Sequence, residues 1–227
     1  MLEPASFLDL EHTSHGNLFA NGEPVWSALK QIAPYLAAKD NFPQSGEISE
    51  HAHITGQVQI GEGTVVEPGA VINGPTLIGK NCTIRTGAYI RGNVITGDNC
   101  TLGNSCEFKN CLLFDNCEVP HFNYVGDAIL GYKAHLGAGV ILSNVRLDRA
   151  NIKIRHEGEN IDTGLRKFSA IVGDRTEVGC NTVISPGSLL GRDCILYPNS
   201  HWSGILGDRT IVKVKQTQQL VERRSGD

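Results

Sequence analysis

The chain has 227 residues, 40% of them apolar, and a formal charge of −4 at pH 7. That length suits one main domain with attachments and can bury a continuous core, while the acid excess argues against a nucleic-acid binder. No 18-residue apolar run or basic leader opens the chain, and its seven cysteines form no CxxC pair; this points away from a membrane partner and toward a soluble protein in a reducing, cytoplasmic setting.

Residues 1–45 follow no repeat. Within them, residues 24–38 predict a short helix with Val25, Leu29, Ile32 and Leu36 on one stripe and Pro34 as a defect. Solenoid ends need covering, so this segment is expected to cap an open first coil.

From residue 48 to about 206 an aliphatic residue recurs every six positions. The first run is Ile48, Ile54, Ile60, Val66, Ile72, Ile78, Ile84 and Ile90, with Thr96 keeping the spacing before Leu102 and Phe108. Four residues after each stands a small or branched one, such as Ala52, Val58, Thr64, Ala70, Cys82 and Ala88. A second run covers Val172, Val178, Ile184, Leu190, Leu196 and Trp202. A period of six fits neither an amphipathic helix nor an alternating antiparallel strand. It fits a triangular coil in which short parallel strands turn a corner every six residues, with Gly, Asn and Asp at the corners. Residues 18 apart then stack at roughly 4.8 Å. The fold class is all-β, a left-handed parallel β-helix of hexapeptide repeats; the hand is that of such repeats, since ordinary parallel crossovers are right-handed. Cys82, Cys100, Cys106, Cys117 and Cys194 occupy the small inward position, as core filler.

The spacing slips to five at Phe108–Leu113 and again at Val125–Leu130, and between the slips lies the crowded hexapeptide Val119-Pro120-His121-Phe122-Asn123-Tyr124. Local rule-breaking of this kind marks candidate function. Residues 146–169 interrupt the repeat and carry a basic excess, including Arg146, Arg149, Lys153, Arg155, Arg166 and Lys167, which suggests an anion. The expected organisation is a helical cap over 1–45, a β-helix over 46–207 with 146–169 inserted, and a polar tail over 208–227 that covers the other end.

Coil arithmetic brings several of these residues together. Arg91 and Lys109, 18 apart, are predicted to stack on one outward face, where two cations repel unless an anion lies between them. Ala138 is placed over His121, and Glu107 beneath Tyr124. An outward imidazole can take a proton from a nucleophile near neutral pH; a structural surface histidine and two solvated cations are the plain alternatives. A metal site is not expected, because His51 and His53 lie far along the axis from His121.

Arg91-Gly92, Glu107-Phe108-Lys109, the run His121-Phe122-Asn123-Tyr124-Val125-Gly126-Asp127, and Leu136-Gly137-Ala138-Gly139 followed by Asn144 resemble the acetyltransferase domain of bifunctional N-acetylglucosamine-1-phosphate uridylyltransferases and related sugar-1-phosphate nucleotidylyltransferases. The stretch Asp162-Thr163-Gly164-Leu165-Arg166-Lys167-Phe168 is similar to the archaeal-type relatives. The resemblance covers about residues 48–220. It implies His121 as general base for N-acetylation of glucosamine 1-phosphate or a similar amine by acetyl-CoA. Arg91 and Lys109 would hold the phosphate, with Glu107, Tyr124 and Asn144 at the sugar and Lys167 reaching in from a neighbouring chain. Ala138 would lie at the thioester, and Cys180 and Pro198 would line the CoA groove, with Lys213 and Lys215 near the CoA phosphates. A homotrimer follows, since family sites form between neighbouring β-helices.

Two positions depart from the bacterial pattern: His135 stands in place of an Asn, and Val145 follows Asn144 in place of a Tyr. No Gly-rich nucleotide-binding loop precedes the repeat, so nucleotidyl transfer is not expected from these residues. The competing reading is a non-catalytic β-helix that oligomerises with, or regulates, a separate sugar-1-phosphate nucleotidylyltransferase.

Overall fold

The computed structural model describes residues 2–222 and is a left-handed parallel β-helix of about nine turns, with one α-helix, Ala28–Ala37. One face is a nine-stranded parallel ladder running from Glu47–Ile48 through Thr101–Asn104, Glu118–His121 and His135–Leu136 to Ile211–Val212. The other two faces join into a 14-stranded sheet. The joint lies at the strands Glu107–Leu113 and Tyr124–Leu130, seven residues each, which run on around a corner where other strands stop after two to four.

The five-residue slips explain that joint. In regular coils partners are 18 apart, as in Val66↔Ile84 and Ile72↔Ile90. Across the slips they are 17 apart, as in Leu102↔Val119, Phe108↔Val125 and Leu113↔Leu130. The shortened corner brings consecutive strands close enough for one ladder to continue through it. Corner residues take left-handed backbone, among them Asn81, Asn93, Asn99 and Asn110, the residue type best suited to it after glycine.

The predicted inward residues form one core column from Val58 to Leu206, with Cys82, Cys100, Cys106, Cys117 and Cys194 buried in it. Where the small inward residue is threonine, its hydroxyl satisfies backbone: Thr64 Oγ1 donates to the Gly79 carbonyl at 2.7 Å and accepts from the Cys82 N–H at 2.9 Å.

The N-terminal segment meets the first coil at its end, where Gln44 bridges to Ile60, but the bulk of it does not sit over that coil. It lies along a side of the prism, burying Leu8, Trp26, Leu29, Ile32 and Leu36 against outward residues Leu77, Ile95, Leu112, Ile129, Ile171 and Leu189. These six stack rung on rung. The ladder of outward aliphatics would otherwise face water, and covering it is worth more than covering one coil end. At the other terminus the tail adds a rung, Ile211–Val212, before residues 213–222 run on exposed. Residues 223–227, the end of the expected tail, lie outside the described residues.

The interruption at 146–169 is an ordered insertion within one coil: Leu136 pairs with Val178, 42 residues on. It contains an antiparallel hairpin, Lys153–His156 with Glu159–Asp162, whose two-residue turn Glu157-Gly158 has positive φ at both positions. Ile152, Ile154 and Phe168 anchor it beneath the N-terminal layer, Phe168 lying 6.3 Å from the Trp26 ring.

Candidate active site

His121 ends the strand Glu118–His121, opposite Asn104 in the rung below, and its side chain is exposed beside the exposed, positive-φ Phe122. The next residue fixes this corner. Asn123 is 3% exposed; its Oδ1 accepts from the His121 N–H at 3.1 Å, and its Nδ2 donates to the Gly137 carbonyl at 2.7 Å. The Gly139 N–H donates to the His121 carbonyl at 3.0 Å. His121 is therefore pinned from both sides to the Gly137-Ala138-Gly139 turn, and Ala138 occupies the position above it.

Across that corner, Glu107 lies under Tyr124 as the register predicts. The Tyr124 hydroxyl accepts from Asn144 Nδ2 at 3.1 Å, and the same nitrogen reaches Asp127 Oδ2 at 2.6 Å. Asp127 is 4% exposed; its Oδ1 accepts from Asn110 Nδ2 at 2.9 Å, and Lys109 Nζ stands 3.6 Å from its Oδ2. Burial, and then the Asp127 and Glu107 charges, push the Tyr124 phenol above its ordinary range. A Cβ on Gly126 would collide with the Tyr124 hydroxyl, so only glycine lets the ring lie over this strand.

The stacked cations carry a correction. Arg91 and Lys109 do lie on neighbouring rungs, but each has its own carboxylate. Arg91 Nη1 bonds Glu107 Oε1 at 2.7 Å, and Lys109 leans on Asp127. Repulsion between them is relieved by protein acids, so no external anion is required there. The hydrogen bond to Glu107 raises the Arg91 guanidinium further above its usual range. Glu107, expected at the sugar, is occupied by Arg91.

Two clefts flank the site. One, about 520 Å³, is bounded by Asn110, Asp127, Val145, Arg149, Arg166 and Lys167, so the inserted segment of the same chain brings Lys167 to the Asp127 cluster. The other, about 310 Å³, holds Cys180 and Pro198 together with His135, Gly137, Glu177 and Tyr197. His135 Nδ1 lies 2.6 Å from Glu177 Oε2, and Lys213 lies over the Tyr197 ring at 5.6 Å. Among the described residues no group of three or more His, Cys, Asp or Glu side chains is placed to hold a metal ion. Likewise no described helix is long and apolar enough to cross a membrane.

Sequence reasoning gave no individual role to Asn110, Asn123 or Asp127, and placed Arg149 and Arg166 only within a basic segment that suggests an anion. Asp127 and Asn123 were visible as polar residues inside a motif otherwise assigned to sugar contacts. Arg149 and Arg166 stood out only as two basic residues among several.

The family profile described as GMPPB C-terminal domain matches residues 72–159. The bifunctional protein GlmU of Methanococcus maripaludis is 37% identical over 183 residues, 75% of this chain and 44% of that protein. A bifunctional sugar-1-phosphate nucleotidylyltransferase/acetyltransferase of Sulfurisphaera tokodaii is 34% identical over 166 residues, 72% of this chain and 41% of that one. The chain is similar in sequence to these bifunctional proteins over about three quarters of its length. It spans about half the length or less of the GlmU proteins it matches. One solved structure, the acetyltransferase domain of PglB from Neisseria gonorrhoeae in complex with acetyl coenzyme A, matches 85% of this chain and 76% of that chain. Its identity to this chain is 13% and its TM-score 0.32.

Proposed function

We propose that this chain transfers the acetyl group of acetyl-CoA to the amine of an amino-sugar 1-phosphate, glucosamine 1-phosphate or a close analogue, in nucleotide-sugar biosynthesis. The observation that carries the reading is His121: an exposed imidazole on a backbone that Asn123 ties to the Gly137-Ala138-Gly139 turn, with the Tyr124–Asn144 pair across the corner and a partly apolar groove that Gly137 borders. An ammonium ion is no nucleophile. The amine therefore reacts in its neutral form: as its nitrogen attacks the thioester carbon, His121 takes one of its two N–H protons, and the tetrahedral oxyanion rests on backbone N–H groups near Ala138. Collapse forms the amide, breaks the C–S bond, and returns the proton from His121 to the departing thiolate.

In this reading Tyr124 and Asn144 position the sugar, and Lys109 and Lys167 face its phosphate. Cys180 and Pro198 line the groove for the pantetheine arm, and Lys213 and Lys215 serve the CoA phosphates. Three chains assemble around the shared clefts. The partnered state of Arg91 and Lys109 also favours a second reading, a non-catalytic β-helix that regulates a sugar-1-phosphate nucleotidylyltransferase.

Thiol release from acetyl-CoA, followed across a panel of amino-sugar phosphates, separates the two. The acyltransferase reading expects release with at least one amine and a fall of about 100-fold or more in His121→Ala. No release with any amine, or equal rates in the variant, overturns it.

A further inference from the structure

We infer that the inserted segment builds a phosphoryl-binding subsite of its own, with Arg149 and Arg166 beside Lys167 as the residues that grip a phosphate dianion in the 520 Å³ cleft. The inference rests on the reading that the acceptor is phosphorylated, and it changes which residues hold that phosphate.

Charge pairing separates these cations from Arg91, Lys109 and Arg146, and the cleft separates them from Lys153 and Arg155, which do not border it. Arg91 is held by Glu107, Lys109 by Asp127, and Arg146 by Asp148. Among the described residues, no carboxylate lies within ion-pair distance of Arg149, Arg166 or Lys167. All three border one cleft, whose single acidic residue, Asp127, is already bonded to Asn110 and Asn144 and faced by Lys109. Three uncompensated cations around one cleft repel each other, and a dianion between them removes that cost. Two guanidinium forks also present paired N–H donors that match phosphate oxygens, which an ammonium cannot.

The segment is ordered for this role. Arg149 closes a turn by donating its N–H to the Arg146 carbonyl at 3.0 Å, and the Ile152 N–H donates to the Leu165 carbonyl at 2.8 Å. That second bond holds the two ends of the excursion together, so residues 149 and 166 reach the same cleft despite their separation in sequence. The cleft shares no lining residue with the Cys180–Pro198 groove, which favours the acceptor's phosphate over those of CoA.

Titration calorimetry of the full chain tests this with four probes: inorganic phosphate, glucosamine 1-phosphate, glucosamine and CoA. Arg149→Ala and Arg166→Ala are each expected to weaken glucosamine 1-phosphate and inorganic phosphate by about ten-fold or more, leaving CoA and unphosphorylated glucosamine unchanged. Both side chains are exposed, so folding is not at stake, and Arg149→Lys should retain part of the affinity. Unchanged phosphate affinity in both alanine variants, or a loss of CoA affinity instead, overturns the inference. If the wild-type chain binds phosphate in an Arg149-dependent way yet releases no thiol with any amine, the subsite stands and the acetyltransfer reading falls.

Discussion

Replacing Asp127 with asparagine removes one charge from a buried cluster and little else. Asparagine also tolerates the left-handed backbone at this position, where φ is 54°, so no strain is introduced. The carboxylate serves Asn110 at 2.9 Å, Asn144 at 2.6 Å and Lys109 at 3.6 Å. An amide can still accept from Asn110 through its oxygen, but its NH2 then faces the Asn144 amide and the Lys109 ammonium, both donors. One charge-assisted hydrogen bond contributes about 1.5–3 kcal/mol. Breaking a buried ion pair from one side costs about 3–5 kcal/mol. Lys109 keeps some access to solvent, which places the expected loss near the bottom of that range, about 3 kcal/mol. Urea unfolding with an unchanged m value measures it, and a cycle with Lys109→Met isolates the pair. Lys109→Met should cost at least about 1 kcal/mol less in the Asp127→Asn background than in wild type. Additivity within about 0.5 kcal/mol, or an Asp127→Asn variant as stable as wild type, refutes the view that Asp127 organises this cluster.

Other expectations follow from single contacts. Gly126→Ala drives a methyl group into the Tyr124 hydroxyl and should lower stability by about 1–3 kcal/mol; a crystal structure with Tyr124 unmoved would contradict this. His15 is half-buried, bonds Tyr35 at 2.9 Å, and has its pKa lowered to about 4 by loss of hydration and by Lys39. The folded state holds the neutral ring while the unfolded chain takes up a proton near the ordinary value. Its contribution is therefore full above pH 6.5 and lost as pH falls toward 4, by up to about 3 kcal/mol. Comparison of wild type with His15→Gln across that range should show the steeper decline in wild type, and parallel curves would count against it. Of the seven cysteines, only Cys180 is exposed, so a thiol reagent should label one site per native chain, and CoA should slow that labelling; labelling of several thiols at similar rates would contradict the buried core column.

The core was readable from residue order alone because it depends on one rule, an aliphatic residue every sixth position with a small one four later. That rule placed Ile84, Leu102, Val119 and Leu136 in one column and Ala138 above His121, and the five-residue slips already marked the corner that holds Asn110 and Asp127. The outer layer was equally present, in Leu77, Ile95, Leu112, Ile129, Ile171 and Leu189 one residue before inward positions. It was missed because a period-six pattern with two inward residues says nothing about which outward faces stay wet. Covering that ladder sends the N-terminal segment along the side instead of over the end.

Charge pairing was the part that only tertiary structure could decide. Sequence spacing puts Arg91 and Lys109 on one face, but whether they are free depends on Glu107 sixteen residues from one and Asp127 eighteen from the other. Carboxylates one coil away are as near as those beside them in sequence, and side-chain reach, not register, selects the partner. The same holds for Arg149, Arg166 and Lys167, which a 24-residue segment gathers at Asp127 because Ile152 and Leu165 are hydrogen-bonded across the insertion. Repeat period determined the scaffold; the closing of the insertion against it determined which cations remain available to a ligand.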